Sequence, residues 1–322
     1  MKYSRQEVLK HIGKDGQAKL SKSSAVIVGV GAIGSVSAEL LTRSGIGKIT
    51  LIDHDIVDET NLQRQLYTEA DIGKKKAETA AEKLKQINPE VKAIAKQLHL
   101  AADNVKLLKA DVILDCTDCM ATRFLINDYA MKNKIPWIYA AAVEDRAMLF
   151  VTKGSPCFNC IFDNASAMDN CEAVGILNTA STMIASLQVT EALKILLGKQ
   201  PIKDLVHVNI WETDIKKYAV TKNKKCDACS GKYKHLETKQ DYKIQYCRSK
   251  AAMSAKPQVS MKLNMDELRK AFKVKADAGI VTVIEINGAE IVVHEYGELL
   301  FKDEKNQDKL KELAEKIYSK TR

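Results

Sequence analysis

The sequence lacks any long hydrophobic run. Although 46% of the 322 residues are hydrophobic, no stretch approaches the roughly 18 uninterrupted apolar residues that a membrane-spanning helix requires. The first ten residues are polar and contain no apolar segment of the kind found in secretory signals. We therefore expect a protein that does not enter a membrane and stays in the cytoplasm.

A basic stripe interleaved with aromatic residues is also missing. The net charge is +9, but the lysines are scattered over predicted helix faces and the C-terminal tail. No internal repeat or low-complexity tract is visible. We expect a solvated surface and no nucleic-acid partner, with an acidic protein partner or nucleotide phosphates as the alternative explanation for the positive charge.

Between Ser24 and Val151, short runs rich in β-branched residues alternate with longer amphipathic stretches. This pattern is typical of βαβ units around a parallel sheet. A mostly apolar helix and two further strands are expected beyond this region. The sequence therefore predicts a doubly wound, mostly parallel, Rossmann-like α/β fold with strands at 25–29, 49–52, 112–115, 137–141, 205–210 and 215–220 and helices at 33–44, 75–87, 121–132 and 177–197.

The remaining residues predict a second, smaller domain. A polar, lysine-rich segment at 231–256 resembles a linker. After it, helical and strand patterns alternate again. We predict a large first domain at 1–230, a linker at 231–256 and a small α+β domain at 257–322, with helices at 265–272 and 307–318 and strands at 281–286, 291–294 and 299–301.

A glycine-rich turn follows the first predicted strand. Gly29, Gly31 and Gly34 form a G-x-G-x-x-G pattern that opens a helix, and Asp53 ends the next strand. In this context glycine allows the backbone to approach a phosphate, and the carboxylate can accept hydrogen bonds from a ribose. Taken alone, these features predict a nucleotide site and leave an NAD-dependent oxidoreductase as one alternative.

The residues after the second strand favour a different nucleotide chemistry. The run from Asp53 to Gln65 contains several acids and an arginine, Lys76 lies near the start of a helix, and Asp118 follows a predicted strand. Transfer of an adenylyl group places negative charge on phosphates, which fixed cations and a metal ion can stabilise. Each of these residues, taken singly, also fits a solvated loop.

Four of the eight cysteines form two closely spaced pairs. Cys157 and Cys160, like Cys226 and Cys229, are separated by two residues, and the two pairs lie about 65 residues apart. Such pairs can present four thiolates to one tetrahedral Zn²⁺. We predict a closed structural zinc site, with a redox role for one pair as the alternative.

At this point the chain resembles the MoeB/ThiF adenylyltransferases, which are relatives of the ubiquitin-activating enzymes. The resemblance rests on the motifs GVGAIG, LIDHDIVDETNLQRQ, DIGKKKAETAAEKLKQINP, DCTD and PCFNC, and it covers about 230 of the 322 residues. The NLQRQ segment and the cysteine pairs are not part of the generic dinucleotide-binding fold. The resemblance is therefore specific.

The resemblance implies a complete nucleotide site. Asp53 would hold the ribose, and Asp118 would bind Mg²⁺. The residue that matches Arg5 reaches the neighbouring subunit's ATP site in the family, which implies a homodimer with shared active sites. The residues expected at the triphosphate are Asn61, Arg64 and Lys76, and Asp55 and Gln65 are expected among the further nucleotide contacts.

The resemblance also implies the reaction: ATP-dependent adenylation of the C-terminal Gly-Gly carboxylate of a ubiquitin-fold sulfur-carrier protein, giving an acyl-adenylate and pyrophosphate. Some family members use a cysteine at the position of Cys171 as an acyl acceptor, and a sulfur donor protein is a further expected partner. A small buried thiol is the alternative reading of Cys171. A non-catalytic scaffold that binds a ubiquitin-like partner is the alternative to the enzyme.

The chain departs from the family pattern at two places. Cys119 follows Asp118 where asparagine is usual. The segment 144–146, Glu-Asp-Arg, replaces a glycine-containing segment. Both departures bear on the groove that receives the carrier tail more than on the chemistry.

Overall fold

The computed structural model describes residues 2–162, 175–237, 241–247, 252–259, 261–302 and 304–321. Two compact units are present. One comprises residues 1–100, 105–163 and 175–236, and the other consists mainly of residues 237–322. Among the described residues, no helix combines the length and hydrophobicity that crossing a bilayer requires.

The first unit is built on an eight-stranded sheet with helices. Its strands are β1 (Ser24–Val28), β2 (Lys48–Asp53), β3 (Lys92–Gln97), β4 (Val112–Asp115), β5 (Trp137–Val143), β6 (Arg146–Thr152), β7 (Leu205–Asn209) and β8 (Asp214–Tyr218). Its helices are α1 (Ser4–Glu7), α2 (Gly13–Leu20), α3 (Ala32–Arg43), α4 (Lys76–Ile87), α5 (Met120–Asn133), α6 (Phe158–Phe162) and α7 (Asn178–Leu196).

The strand order is β3-β2-β1-β4-β5-β6-β7-β8. The pairs from β3 to β5 are parallel, whereas β5, β6, β7 and β8 pair antiparallel. The predicted Rossmann-like, mostly parallel fold is confirmed. Since the order of the strands reverses between β1 and β4, the crevice outside their carboxyl ends is the expected ligand position.

A buried polar network fixes α7 against this sheet. Gln188 is fully buried, and its Nε2 donates to the carbonyl oxygens of Asp115 (2.9 Å) and Ile138 (3.0 Å). Its Oε1 accepts hydrogen bonds from the hydroxyl of Ser37 at 2.9 Å and the thiol of Cys116 at 3.3 Å. One side chain therefore links α7 with β4, β5 and α3.

The second unit has a six-stranded antiparallel sheet with the order β11-β12-β13-β14-β10-β9. The apolar side chains of α8 and α9 belong to one buried cluster with those of the sheet. Its elements are β9 (Tyr242–Cys247), β10 (Ala252–Pro257), α8 (Met265–Ala271), β11 (Lys273–Asp277), β12 (Val281–Ile286), β13 (Ala289–His294), β14 (Leu299–Phe301) and α9 (Gln307–Thr321).

The segment predicted as a linker, 231–256, is not a simple connection. It contains β9 and most of β10, which pair with each other from Tyr242↔Pro257 to Cys247↔Ala252. Ala255 of β10 is fully buried. The lysines of this segment hid the alternation of apolar residues that forms the two strands.

Candidate active site

The glycine turn packs too closely for side chains. Gly29 has a φ of 82°, and a Cβ added there would lie 2.8 Å from the carbonyl oxygen of Cys116. A Cβ on Gly34 would lie 1.9 Å from the carbonyl oxygen of Gly29. Helix α3 begins after Gly31, and within the described part of the chain no side chain is recorded as capping its first turn. The first N–H groups of an α-helix have no partner within the helix and are suited to bind an anion.

Gly34→Ala is therefore expected to lower the free energy of unfolding by about 3 kcal/mol, because the backbone of Gly29 must move to admit the methyl group. Gly175→Ala is the matched control, since an added Cβ there meets nothing within 4 Å. Urea unfolding of both variants measures the difference. Equal stability of the two variants would contradict the close packing of the turn.

Asp53 ties the glycine turn to the end of β2. Its Oδ2 accepts the N–H of Val30 at 2.6 Å, and its Oδ1 accepts the N–H of Asp55 at 2.8 Å. Burial, followed by the charge of Asp55, raises the pKa of Asp53. Asp53 therefore holds the loop in place, and each of its oxygens keeps a further lone pair that can accept a hydroxyl.

Lys76 supplies a buried cation beside these acids. Only 6% of the residue is exposed, and its Nζ lies 3.3 Å from Oδ2 of Asp55. Its backbone N–H donates to the carbonyl oxygen of Asp55 at 2.9 Å. The potential ligand atoms of Asp53, His54 and Asp55 lie within 4.8 Å of one another, so Lys76 offsets a local concentration of negative charge.

Tyr67, which the sequence analysis missed, connects the two halves of this region. Its hydroxyl lies 2.9 Å from the carbonyl oxygen of Val30 and 3.2 Å from that of Lys76, and it shares its proton between them. Burial raises the pKa of Tyr67, so the hydroxyl stays protonated and keeps donating. The hydroxyl of Tyr67 thereby fixes the position of the glycine turn relative to the first residue of α4.

The NLQRQ segment, residues 61–65, also lies beside the glycine turn. The amide of Asn61 accepts the N–H of Asp58 at 3.2 Å, and Nη1 of Arg64 donates to the carbonyl oxygen of Thr60 at 2.7 Å. Gln65 is 7% exposed, and its Nε2 lies 3.6 Å from the position of a Cβ on Gly31. The buried Oε1 of Gln65 has no hydrogen-bond partner among the residues that the structure describes. Such an orphaned group fits a site built for a polar ligand.

The loop after β4 places Asp118 at the surface. Asp115 is buried, and its Oδ1 accepts both the N–H (3.0 Å) and the hydroxyl (2.7 Å) of Thr117. Arg123 lies with its Nε 3.4 Å from Oδ2 of Asp115 and donates a further hydrogen bond to the carbonyl oxygen of Thr117. Its guanidinium also stacks on Tyr139, 4.9 Å from the ring centroid. The loop that carries the exposed Asp118 is therefore rigidly supported.

The four paired cysteines converge at a separate position of the same unit. The sulfurs of Cys157 and Cys226 are 3.6 Å apart, as are those of Cys160 and Cys229, and Cys229 lies 3.4 Å from Cys157. A tetrahedron with Zn–S bonds of about 2.3 Å has edges of about 3.8 Å. The cluster therefore fits a zinc ion, whose charge would offset the burial that raises the pKa of Cys157.

A helix side chain orients this cluster. Asn127 is fully buried on α5, and its Nδ2 lies 3.7 Å from the sulfur of Cys157 and 3.0 Å from Oδ1 of Asn159. Its Oδ1 accepts the N–H of Phe158 at 3.2 Å. Polar residues that support a metal ligand in this way fix its orientation.

The neighbouring Asp128 predicts a dependence of stability on pH. It is fully buried, Oδ2 accepts the N–H of His235 at 2.9 Å, and burial raises the pKa of the carboxyl from 3.8 to about 6. The folded protein therefore binds this proton more tightly than the unfolded chain does. The buried carboxylate destabilises the folded state when it is ionised, and this destabilisation is lost as the pH falls through about 6.

We expect the free energy of unfolding of the wild type, relative to Asp128→Asn, to rise by about 1 kcal/mol as the pH is lowered from 8 to 5. The difference between the two proteins cancels the titration of all other groups. Urea unfolding at the two pH values measures it. A difference that does not change with pH would show that Asp128 titrates normally.

Two predicted residues stand apart from this geometry. Arg5 is exposed on α1, whose Gln6 donates to the side chain of Gln17 at 2.6 Å and to the carbonyl oxygen of Ser44 at 2.9 Å. Cys171 lies outside the described residues. The other predicted nucleotide residues are on the glycine turn, at the ends of β2 and β4, in the NLQRQ segment and at the start of α4.

Comparison with known proteins places this site in a family. The family model described as "ThiF family" matches residues 3–229. The sulfur carrier protein ThiS adenylyltransferase of Bacillus subtilis is 38% identical over 241 residues, which are 72% of each chain. The adenylyltransferase and sulfurtransferase MOCS3 of Aedes aegypti is 37% identical over 209 residues, 62% of this chain and 48% of its own length.

A solved structure shares the fold. The crystal structure of Escherichia coli MccB with ATP has a TM-score of 0.62 and 25% identity, and the match covers 71% of this chain and 74% of that one. The chain spans about half the length of the MOCS3 relative. The family model matches about 70% of the residues, and several of the motifs lie at the carboxyl ends of strands. This chain therefore belongs to the ThiF family.

Proposed function

We propose that this protein is an ATP-dependent adenylyltransferase that activates the C-terminal Gly-Gly carboxylate of a ubiquitin-fold sulfur-carrier protein. The observation that carries the proposal is the buried Lys76, held 3.3 Å from Asp55 beside a glycine turn at the strand switch point. A phosphate-binding cation at this position suits a triphosphate. The NAD-dependent oxidoreductase alternative does not require it.

The residues of the proposed site would bind either the nucleotide or a magnesium ion. The uncapped N-terminus of α3 would face phosphate oxygens, and Lys76 and Arg64 would neutralise the triphosphate. Asn61, Asp55 and Gln65 would complete the nucleotide contacts, and Asp53 would accept the ribose hydroxyls. Asp118 would hold Mg²⁺, which supplies further charge neutralisation at the phosphates.

The chemistry requires positioning more than proton transfer. A carboxylate oxygen of the carrier forms a bond to the α-phosphorus of ATP, while the bond from that phosphorus to the bridging oxygen breaks and pyrophosphate leaves with the electron pair. The carboxylate is already ionised at neutral pH, so no general base is needed. The protein contributes fixed charges that stabilise the phosphates during the transfer.

The remaining features extend the proposal. The Cys157, Cys160, Cys226 and Cys229 cluster would hold a structural Zn²⁺. Arg5 of one subunit would reach the partner's nucleotide in a homodimer. The thiol of Cys171 would accept the acyl group from the acyl-adenylate as AMP leaves, or the sulfur of a donor protein would accept it instead, again with release of AMP. We infer that these steps take place in the cytoplasm without a nucleic-acid partner.

Exchange of labelled pyrophosphate into ATP tests the proposal. Purified protein is incubated with ThiS-like carriers that end in Gly-Gly, with the same carriers lacking the last two residues, and without carrier. Exchange that depends on the intact tail, and that Asp118→Ala abolishes, would support adenylation. Tight binding of ATP without exchange by any carrier would instead support the non-catalytic scaffold.

A further inference from the structure

A third pair of cysteines separated by two residues follows β4. Cys116 and Cys119 have the same spacing as the two pairs of the zinc cluster, but they lie outside that cluster. Because β4 ends at Asp115 and α5 begins at Met120, this pair opens a helix directly after a strand. A C-x-x-C pair in this context is typical of a site that alternates between a dithiol and a disulfide.

The backbone between the two cysteines is bent. Asp118 is exposed, and the chain bends there, which brings Cys116 and Cys119 closer than the roughly 10 Å of an extended segment. The N–H of Cys116 donates to the carbonyl oxygen of Val28 at 2.8 Å, and the carbonyl oxygen of Cys119 accepts the N–H of Arg123 at 3.1 Å. A disulfide joins Cα atoms about 4.4 to 6.8 Å apart. Since both ends are anchored, the adjustment that closes the bond falls on Asp118.

The surroundings of Cys119 favour reaction with an oxidant. The residue is half-buried and lies directly before the 14 residues of α5. The guanidinium of Arg123, one turn further along the helix, lies close enough to interact electrostatically with it. Reactive cysteines occur in partly exposed positions at helix N-termini and beside cations. Cys119 is therefore the thiol that we expect to react first.

Cys116 connects the pair with the glycine turn and with α7. Its thiol donates to Oε1 of Gln188 at 3.3 Å. Its Cβ lies 3.2 Å from the position of a Cβ on Gly34, and its carbonyl oxygen lies 2.8 Å from that of a Cβ on Gly29. A disulfide would remove the hydrogen of this thiol and with it the hydrogen bond to Gln188. Oxidation would therefore act on the support of the glycine turn as well as on the loop that carries Asp118.

We propose that Cys116 and Cys119 form a reversible disulfide, with a low-molecular-weight disulfide as the oxidant, and that this bond inactivates the nucleotide site. The sulfur of Cys119 attacks one sulfur of the oxidant and releases the first small thiol. The sulfur of Cys116 then attacks the sulfur of Cys119 and releases the second one. The two protons of the protein thiols end on the released thiols, so the protein loses the two electrons that the oxidant gains. Only the loss of activity rests on the proposed adenylation.

Mass spectrometry tests whether the bond forms. Trypsin cleaves after Lys109 and Arg123, so both cysteines lie on one peptide, 110–123, which contains no other cysteine. Zinc-loaded protein is incubated with oxidised glutathione, and the remaining thiols are blocked with iodoacetamide before digestion. We expect the peptide to be lighter by two hydrogen atoms and unblocked, and to become blocked after treatment with dithiothreitol. A peptide that stays fully blocked, or that carries glutathione as its final state, would overturn the proposal.

Pyrophosphate exchange tests the consequence of the bond. Oxidation of the wild type should lower exchange by about 10²-fold, the cost of misplacing a catalytic group by about 1 Å, and dithiothreitol should restore it. Cys116→Ser, whose hydroxyl can still donate to Gln188, and Cys119→Ser are each compared with their own reduced form and should show no change on oxidation. Metal analysis of every sample verifies that zinc is retained.

The outcomes separate this inference from the proposed function. If both serine variants lost exchange on oxidation as the wild type does, other cysteines would be responsible and the proposal would be wrong. Full exchange by a wild type in which the bond has formed would exclude the inactivation. Absence of exchange by the reduced wild type would instead overturn the proposed function, while peptide 110–123 would still decide whether the disulfide forms.

Discussion

Lys76→Ala is expected to lower the rate of carrier-dependent pyrophosphate exchange by about 10² to 10³, the usual cost of removing a preorganised group that stabilises transition-state charge. Only 6% of Lys76 is exposed, and its Nζ lies 3.3 Å from Oδ2 of Asp55. Little water can replace it. Its removal leaves the carboxylates of Asp53 and Asp55 to repel the triphosphate.

The neighbouring lysine provides the control for this prediction. Lys75 precedes α4 and forms an exposed ion pair with Glu78 at 3.2 Å. Lys75→Ala should retain nearly full exchange. Lys76→Arg, which keeps the charge, shows whether loss of activity follows from loss of folding. Activity of Lys76→Ala above half of the wild-type value would contradict a role at the phosphates.

Cys226→Ser is expected to cause the largest loss of stability. Cys226 is fully buried in the four-sulfur cluster, and binding of a structural zinc ion contributes directly to the free energy of folding. A loss of at least about 4 kcal/mol corresponds to a fall in Tm of about 10 °C for a domain of this size. Differential scanning calorimetry and metal analysis of the purified variant measure both effects.

A cysteine outside the cluster serves as the comparison. Cys119 is half-buried at the N-terminus of α5, and Cys119→Ser should keep both the Tm and one zinc ion per chain. A strong chelator should lower the Tm of the wild type but not that of Cys226→Ser. If Cys226→Ser retained stoichiometric zinc and a wild-type Tm, the cluster would not be a structural zinc site.

The periodic parts of the fold could be predicted from the sequence. The helix predicted at 177–197 is observed at Asn178–Leu196, and the strand at 281–286 coincides with β12. These segments have a strong apolar pattern and clear ends. By contrast, β3 was not predicted, because an edge strand that reads Lys-Ala-Ile-Ala-Lys-Gln is half polar and none of its residues is fully buried.

The site could be predicted only where motifs mark it. The glycine turn and the cysteine pairs have spacings that follow from their chemistry. Tyr67 and the Asp115–Arg123 pair could not be found in this way, because their roles depend on contacts between segments far apart in the sequence or on burial. The buried polar network could have been indicated by one feature of the sequence, which is a glutamine such as Gln188 inside a long apolar helix.

That glutamine also sets an order of events during synthesis. Gln188 fixes the carbonyl of Asp115 and the thiol of Cys116, and the carbonyl of Cys116 lies against Gly29. These hydrogen bonds therefore cannot form until the chain has grown past α7 and that helix has left the ribosome. A nascent chain that stops before residue 178 would contain every glycine of the turn, yet it would lack the side chain that fixes the end of β4.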